Sequence, residues 1–226
     1  MTDSKLFTPL CVGPMDLRHR IAMAPLTRLR ADDNNMQQPL AMEYYTQRAC
    51  VPGTLIIAEA TLIFPAHASM PHGPGIWTSA QIVAWKRITD AVHAKGCSMV
   101  CQHVAPGRAA DARALEKAGY GLLSSSAVPM PGSSFTEKSG PTPVPRNMSE
   151  SQIWECIRDF KTAAGMRCKL GLMAWRFTAR MGIWLISLHR ILATSAPMAE
   201  VAPSPIAADS VLRLRKLVRR KSVLSG

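Results

Sequence analysis

The sequence predicts an α/β fold for its N-terminal part, a parallel sheet with crossover helices, and three observations carry that expectation. Apolar runs of strand length recur at Arg20–Pro25, Thr54–Ala60 and Cys97–Gln102. Stretches with helical spacing stand between and after them, two opened by capping boxes. No internal repeat is present to suggest a solenoid. Apolar runs without polar alternation suit strands covered on both faces, and strand–helix alternation is the pattern of βαβ units. The 226 residues allow one ordinary domain or two small ones, and 47% apolar content suffices for a core.

The elements follow in order. Arg20-Ile21-Ala22-Met23-Ala24-Pro25 reads as a strand closed by proline. Pro39 to Ala49 has helical spacing. Thr54-Leu55-Ile56-Ile57-Ala58-Glu59-Ala60 is the second strand. In Thr78-Ser79-Ala80-Gln81 the Thr78 hydroxyl can accept from the backbone N–H three residues on while Gln81 reaches back. The helix it opens carries Ile82, Trp85, Ile88, Thr89 and Val92 on one stripe and ends near Gly96. Cys97-Ser98-Met99-Val100-Cys101-Gln102 is the third strand. A Pro/Gly/Ser-rich loop fills roughly 127–147, and Ser149-x-x-Gln152 opens a helix with Ile153, Cys156, Ile157 and Phe160.

The net charge of +12 is unevenly spread. Residues 165–226 hold 11 Lys/Arg against 2 Asp/Glu, and residues 1–164 hold 16 against 13. A basic tail ordinarily points to nucleic acid or an anionic membrane, with a solvated tail as the plainer reading. Met181–Leu188 is apolar but too short to span a bilayer, and Leu212–Val223 has the composition of a basic amphipathic helix. No run of 18 apolar residues occurs, so no membrane span is expected. The start, Met1 to Phe7, lacks the apolar stretch of a signal peptide. Cys11, Cys50, Cys97, Cys101, Cys156 and Cys168 form no Cys-x-x-Cys pair, which suits reduced thiols, a cytoplasmic location and no metal site.

A collinear series of motifs resembles the Old Yellow Enzyme family of FMN-dependent ene-reductases. It comprises Leu6-Phe7-x-Pro9-Leu10, Arg20 to Arg28, Tyr44-Tyr45-x-Gln47-Arg48-Ala49 and Leu55-Ile56-Ile57-Ala58-Glu59-Ala60-Thr61. It continues with Pro74-Gly75-Ile76-Trp77-Thr78, Ala84-Trp85-Lys86 and Asp90 to Gly96. The resemblance implies the N-terminal part of a (β/α)8 TIM barrel, with cofactor and substrate at the C-terminal strand ends. It further implies that Pro25, Leu26 and Thr27 lie against the flavin, with the Thr27 hydroxyl bonding the carbonyl edge beside N5. Ala60 would offer backbone to the same edge, and Gln102 would bond the pyrimidine side. Where the family often has Gln-Leu-Trp-His-x-Gly-Arg, this chain reads Gln102-His103-Val104-Ala105-Pro106-Gly107-Arg108. Val104 thus stands for a tryptophan that shapes the substrate pocket.

After Ala164 the resemblance stops. The family would continue with a segment like Gly-Val-Glu-Ile-His-Gly-Ala-Asn-Gly-Tyr, whose His and Asn bind the substrate carbonyl and whose Tyr delivers a proton. Joining the third base of each codon to the first two of the next, Met173 to Ser187 permits Gly-Val-Glu-Ile-His-Gly-Ala-Asn-Gly-Tyr-Leu-Val-Asp-Gln. In the same frame, Pro205 to Ser210 permits Asn-Arg-Ser-Arg-Phe, another family motif. Two motifs in one frame and in the correct order are hard to obtain by chance. The expected division is therefore residues 1–164, part of an FMN-binding barrel, and residues 165–226, an out-of-frame, poorly ordered basic tail.

The resemblance implies an NADPH-to-FMN-to-enone hydride relay. It also implies that the oxyanion pair, the proton donor and the phosphate-binding loops are missing from this chain, so no catalytic residue is assigned. The expectation is an FMN-linked oxidoreductase by ancestry, impaired or inactive as it stands, taking NADPH and a small enone. The rival is a non-catalytic fragment or interaction module, self-associating through the incomplete barrel. A specific nucleic-acid or membrane binder ranks last.

Overall fold

The computed structural model describes residues 4–130 and 143–166, together with the backbone of a strand at 174–177. The chain opens with an antiparallel hairpin, β1 (Leu10–Val12) and β2 (Met15–Leu17), turning at Gly13 with φ of 57°. Then come β3 (Ala22–Met23), α1 (Pro39–Arg48), β4 (Leu55–Leu62), α2 (Ser79–His93), β5 (Ser98–Val104) and the short α3 (Ala112–Lys117). Strands β6 (Leu123–Ser124) and β7 (Arg146–Asn147) precede α4 (Glu150–Gly165), and β8 (Ala174–Phe177) follows it.

Strands β3, β4, β5 and β8 form one four-stranded sheet in that order, every neighbour parallel. Sheet order equals chain order, and a helix lies between each pair of strands. Successive βα units of this kind build a (β/α) barrel. Four strands are a part of such a barrel, as the sequence leads one to expect. Residues 1–164 supply three strand–helix units, and the fourth strand comes from 174–177. Strands β6 and β7 pair with each other in a separate small sheet, and α3 is a six-residue helix in the same excursion.

The helices form where their caps and apolar stripes dictate. Both capping boxes are complete. Thr78 accepts from Gln81 N–H at 3.2 Å and the Gln81 carboxamide accepts from Thr78 N–H at 3.0 Å. Ser149 and Gln152 do the same for α4 at 3.3 and 3.0 Å. Trp85, Ile88, Thr89 and Val92 of α2 are buried, as are Cys156 and Phe160 of α4. Helix α1 begins with Pro39 at its first position, where the missing N–H would be unpaired anyway. Tyr45 of α1 meets Trp85 of α2 at 6.2 Å between ring centroids. His67, just after β4, approaches Asp159 of α4 at 3.5 Å.

Strand boundaries moved for local reasons. Of Arg20–Pro25 only Ala22–Met23 is strand, because Arg20 N–H is taken by Leu6 carbonyl and Ile21 N–H by His19 Nδ1, while Pro25 has no N–H to give. Strand β5 runs two residues past Gln102, since His103 and Val104 find partners in Thr61 and Leu62. The loop expected at 127–147 lies largely outside the described residues. At the base of the sheet, Met15 and Leu17 of the hairpin pack with Val100, Leu55 and Ile57.

Replacing Thr78 by Ala removes one half of the α2 capping box while leaving its buried stripe intact. The expected loss is about 1 kcal/mol, read as a lower urea midpoint at unchanged m-value. A shift no larger than that of an exposed Val83→Ala control would contradict the role of the cap.

Candidate functional site

The candidate site lies at the C-terminal ends of β3, β4 and β5, and a single irregularity arranges it. Strands β4 and β5 are in register from Leu55↔Ser98 to Ile57↔Val100, and again from Ala60↔Gln102 to Leu62↔Val104. Between those stretches Ala58 and Glu59 together oppose Cys101, a β-bulge. Side chains alternate along a strand, so one inserted residue exchanges the faces beyond it. Leu55, Ile57 and Val100 pack inward with the hairpin. Gln102 and Val104 continue that face of β5, and the bulge puts Ala60 there beside Gln102. Glu59 turns to the other face.

Glu59 is 2% exposed. Its carboxylate accepts from Arg28 N–H at 2.9 Å and from the Gln37 carboxamide at 2.8 Å, and the nearby Leu29 N–H also favours its charged form. Its own backbone N–H donates to the Tyr45 hydroxyl at 3.0 Å. Burial pushes its pKa above the ordinary carboxylate range, and these donors oppose that rise. Burial, with the nearby Glu59 charge, also raises the Tyr45 phenol. The Cys101 thiol is pushed up to about 12 by burial, so it is an inert core thiol.

The segment after β3 is thereby tied to β4. Thr27 is exposed and Pro25 half-buried; Leu26 is exposed. Thr27 adjoins Arg28, whose N–H is held by Glu59 and whose guanidinium lies 5.2 Å from the Tyr44 ring centroid. Farther along, Gln81 Nε2 donates to Asn34 carbonyl at 2.9 Å, and Gly75 N–H donates to Asn35 carbonyl at 2.7 Å. A Cβ at Gly75 would lie 2.3 Å from the Trp77 ring, so any side chain there would force that ring to shift. Gln102 is 8% exposed and Val104 6%.

The structure therefore brings Ala60, Gln102 and Val104 onto one face and fixes the backbone next to Thr27. Sequence reasoning assigned no role to Glu59 or Gln37. A signal for Glu59 existed: an acidic residue within an otherwise apolar strand run must find donors when buried.

Fold and site define a class: a segment of a parallel βα barrel with polar side chains gathered at the C-terminal strand ends. The family model of the NADH:flavin oxidoreductase / NADH oxidase family matches residues 5–171, and the chain belongs to that family. An NADP-dependent oxidoreductase, lnbE, of Aspergillus flavus is 54% identical over 161 residues, 71% of this chain and 41% of that one. Chanoclavine-I aldehyde reductase fgaOx3 of Penicillium roqueforti is 49% identical over 162 residues, 71% of this chain and 42% of that one. The chain thus spans about two fifths of the curated relatives it matches. The crystal structure of Old Yellow Enzyme from Pichia sp. AKU4542 aligns with a TM-score of 0.76 at 30% identity, covering 96% of this chain and 56% of that one. Among the described residues no helix is long and apolar enough to cross a membrane.

His103, on the opposite face from Gln102 and 2% exposed, is pushed down to about 4 by burial. Between pH 6.5 and 4 the unfolded chain therefore binds a proton that the folded chain refuses, so this residue makes stability fall as pH falls through that window. The contribution reaches about 3 kcal/mol at full protonation. Chemical denaturation of wild type and His103→Gln across this range measures it, and the variant is expected to show the shallower acid-side slope. Equal slopes would contradict a neutral buried imidazole.

Proposed function

We propose that the chain is the N-terminal part of an FMN-linked, NAD(P)H-using reductase of α,β-unsaturated carbonyl compounds, followed from about residue 165 by an out-of-frame translation. The observation that carries the enzymatic reading is the Ala60–Gln102 cross-strand pair at the C-terminal strand ends, with Thr27 on the adjoining segment. The donor chemistry fits one edge of a flavin. A hydroxyl and a carboxamide can each donate and accept, which matches a ring edge alternating carbonyl and N–H groups. A small residue at Ala60 leaves room for a ring against backbone. FMN, when bound, supplies the two-electron chemistry between NAD(P)H and the enone.

The residues of this chain bind and orient. The Thr27 hydroxyl would bond the carbonyl edge beside N5, Gln102 would hold the pyrimidine side, and Pro25 and Leu26 would lie against the ring. No group of the chain is assigned to proton delivery or to holding the carbonyl oxygen. The position of β8 supports the frame reading. Codons straddling residues 174–178 permit Val-Glu-Ile-His, and that span falls on the strand that pairs Arg176 with Gln102. The restored motif would thus enter the sheet where the barrel needs its next strand. Aligning the coding DNA tests this, and an early stop in the alternative frame within the tail would exclude it.

The 226-residue chain is expected to bind FMN weakly or not at all and to show no measurable turnover. A dianionic phosphate needs N–H groups or a cation fixed beside it, and the three flavin-edge residues supply neither. The measurement is FMN titration followed by NADPH-dependent reduction of 2-cyclohexenone, beside a frame-restored control. Turnover near that of the control would overturn the reading. A colourless, associating protein is the outcome the fragment reading calls for, since β3 and β8 are the edges of the described sheet.

Val104 gives a separate expectation for the restored protein. It shares a face with Gln102, and a side chain smaller than tryptophan there leaves room for bulkier enones. Val104→Trp should narrow the substrate range, measured as kcat/KM across a series of ring-substituted cyclohexenones. An unchanged profile would remove Val104 from the pocket.

A further inference from the structure

We propose that Glu59 is a positioning residue: its carboxylate serves as the anion of a backbone nest formed by the Arg28 and Leu29 N–H groups, and so fixes Thr27. The proposal rests on the reading of Thr27 as a flavin-edge residue only for its functional meaning. The nest itself is a property of this chain's own residues.

The geometry is specific. Successive N–H groups converge on one acceptor when the second residue takes a left-handed conformation. Leu29 does so, with φ of 52°. A leucine is disfavoured there, and such strain persists only where surroundings over-determine it. Leu29 is 42% exposed, so packing does not force the conformation. What remains is the carboxylate, which receives Arg28 N–H at 2.9 Å and Gln37 Nε2 at 2.8 Å, with the Leu29 N–H close by. The Arg28 side chain is held separately, near the Tyr44 ring of α1. Thr27 therefore precedes a residue anchored both through its backbone and through its side chain.

Donors face the Glu59 carboxylate from the Arg28 backbone and the Gln37 carboxamide. A glutamine there is nearly isosteric but neutral. Its NH2 would need the Gln37 carboxamide to turn over and present Oε1, which has no other partner among the described residues, and its single oxygen would be a weaker acceptor for the backbone than a carboxylate. The bulge supplies the other half of the device. Without the extra residue, Glu59 would stand beside Gln102 on the inner face, and no carboxylate would reach the segment after β3.

The test reads the amides of the 226-residue chain by NMR, so it stands or falls whether or not FMN binds. The charged and titratable groups facing Glu59 are the Arg28 guanidinium, the Tyr45 phenol and the Cys101 thiol. Burial holds the last two protonated, and so neutral, across the acid range, so they do not titrate with it. The Arg28 and Leu29 amide protons and the Gln37 carboxamide should titrate together, with one midpoint above the ordinary glutamate value. In Glu59→Gln that titration should vanish, and exchange at Arg28 and Leu29 should quicken by about tenfold or more, with β5 amides unchanged. Gln37→Ala, which leaves the nest and the strand intact, should raise the shared midpoint by removing one donor to the anion. This second variant decides the matter if Glu59→Gln does not fold. Independent titration of the two amides, unchanged exchange in a folded Glu59→Gln, or an unmoved midpoint in Gln37→Ala would each overturn the proposal.

Discussion

A carboxylate taken out of water must be met by donors, and the upper end of this half-barrel is organised around meeting that demand for Glu59. The carboxylate's donors come from two places, the turn after β3 and the approach to α1, while the Glu59 backbone N–H donates to the Tyr45 hydroxyl of α1. One buried residue thus joins strand, loop and helix. The bulge in β4 makes this possible by moving the acid off the inner face and leaving a small residue beside Gln102. Register and electrostatics cannot be separated here. An in-register β4 would set a carboxylate beside the carboxamide of Gln102 and leave the loop unanchored.

The rest of the loop layer continues the same logic with neutral groups. Gln81, 1% exposed, has both ends of its carboxamide occupied: the oxygen by the N–H groups of Trp77 and Thr78, the nitrogen by Asn34 carbonyl. Asn35 donates to Gly73 carbonyl at 2.7 Å, and Trp85 Nε1 donates to Gly75 carbonyl at 3.2 Å. The segments following β3 and β4 are consequently stitched to each other and to α2. A binding surface made of loops acquires precision when a fixed scaffold holds those loops, and here the scaffold reaches them through buried amides.

Much of the fold was legible in the residues. Apolar runs located β4 and β5, because strands covered on both faces leave a continuous apolar trace. Thr78–Gln81 and Ser149–Gln152 located two helix starts, because a capping box is a local device. The hairpin was not legible: its strands are three residues long, and β1 is exposed throughout. Nor was the bulge, since register is a relation between two strands, and neither Glu59 nor Cys101 announces it alone. The candidate site was legible only through family resemblance. Thr27, Ala60 and Gln102 sit on different strand ends and share no spacing that would bring them together. Glu59 carried a physical signal in the sequence, but its neighbours Arg28, Leu29 and Gln37 are brought to it only by the fold.

The plug formed by Met15 and Leu17 against Leu55, Ile57 and Val100 also bears on how the chain reaches this state. Those contacts join the hairpin to β4 and β5, so this apolar cluster is made entirely of residues synthesised before α4 or β8 emerges from the ribosome. Its loop closures are long-range, and hence slow to form. Once made, they give the early part of the chain an apolar nucleus that needs nothing from later strands. A nascent chain of this design commits to the geometry of its lower end first and leaves the ligand-facing rim to be completed by whatever is translated next.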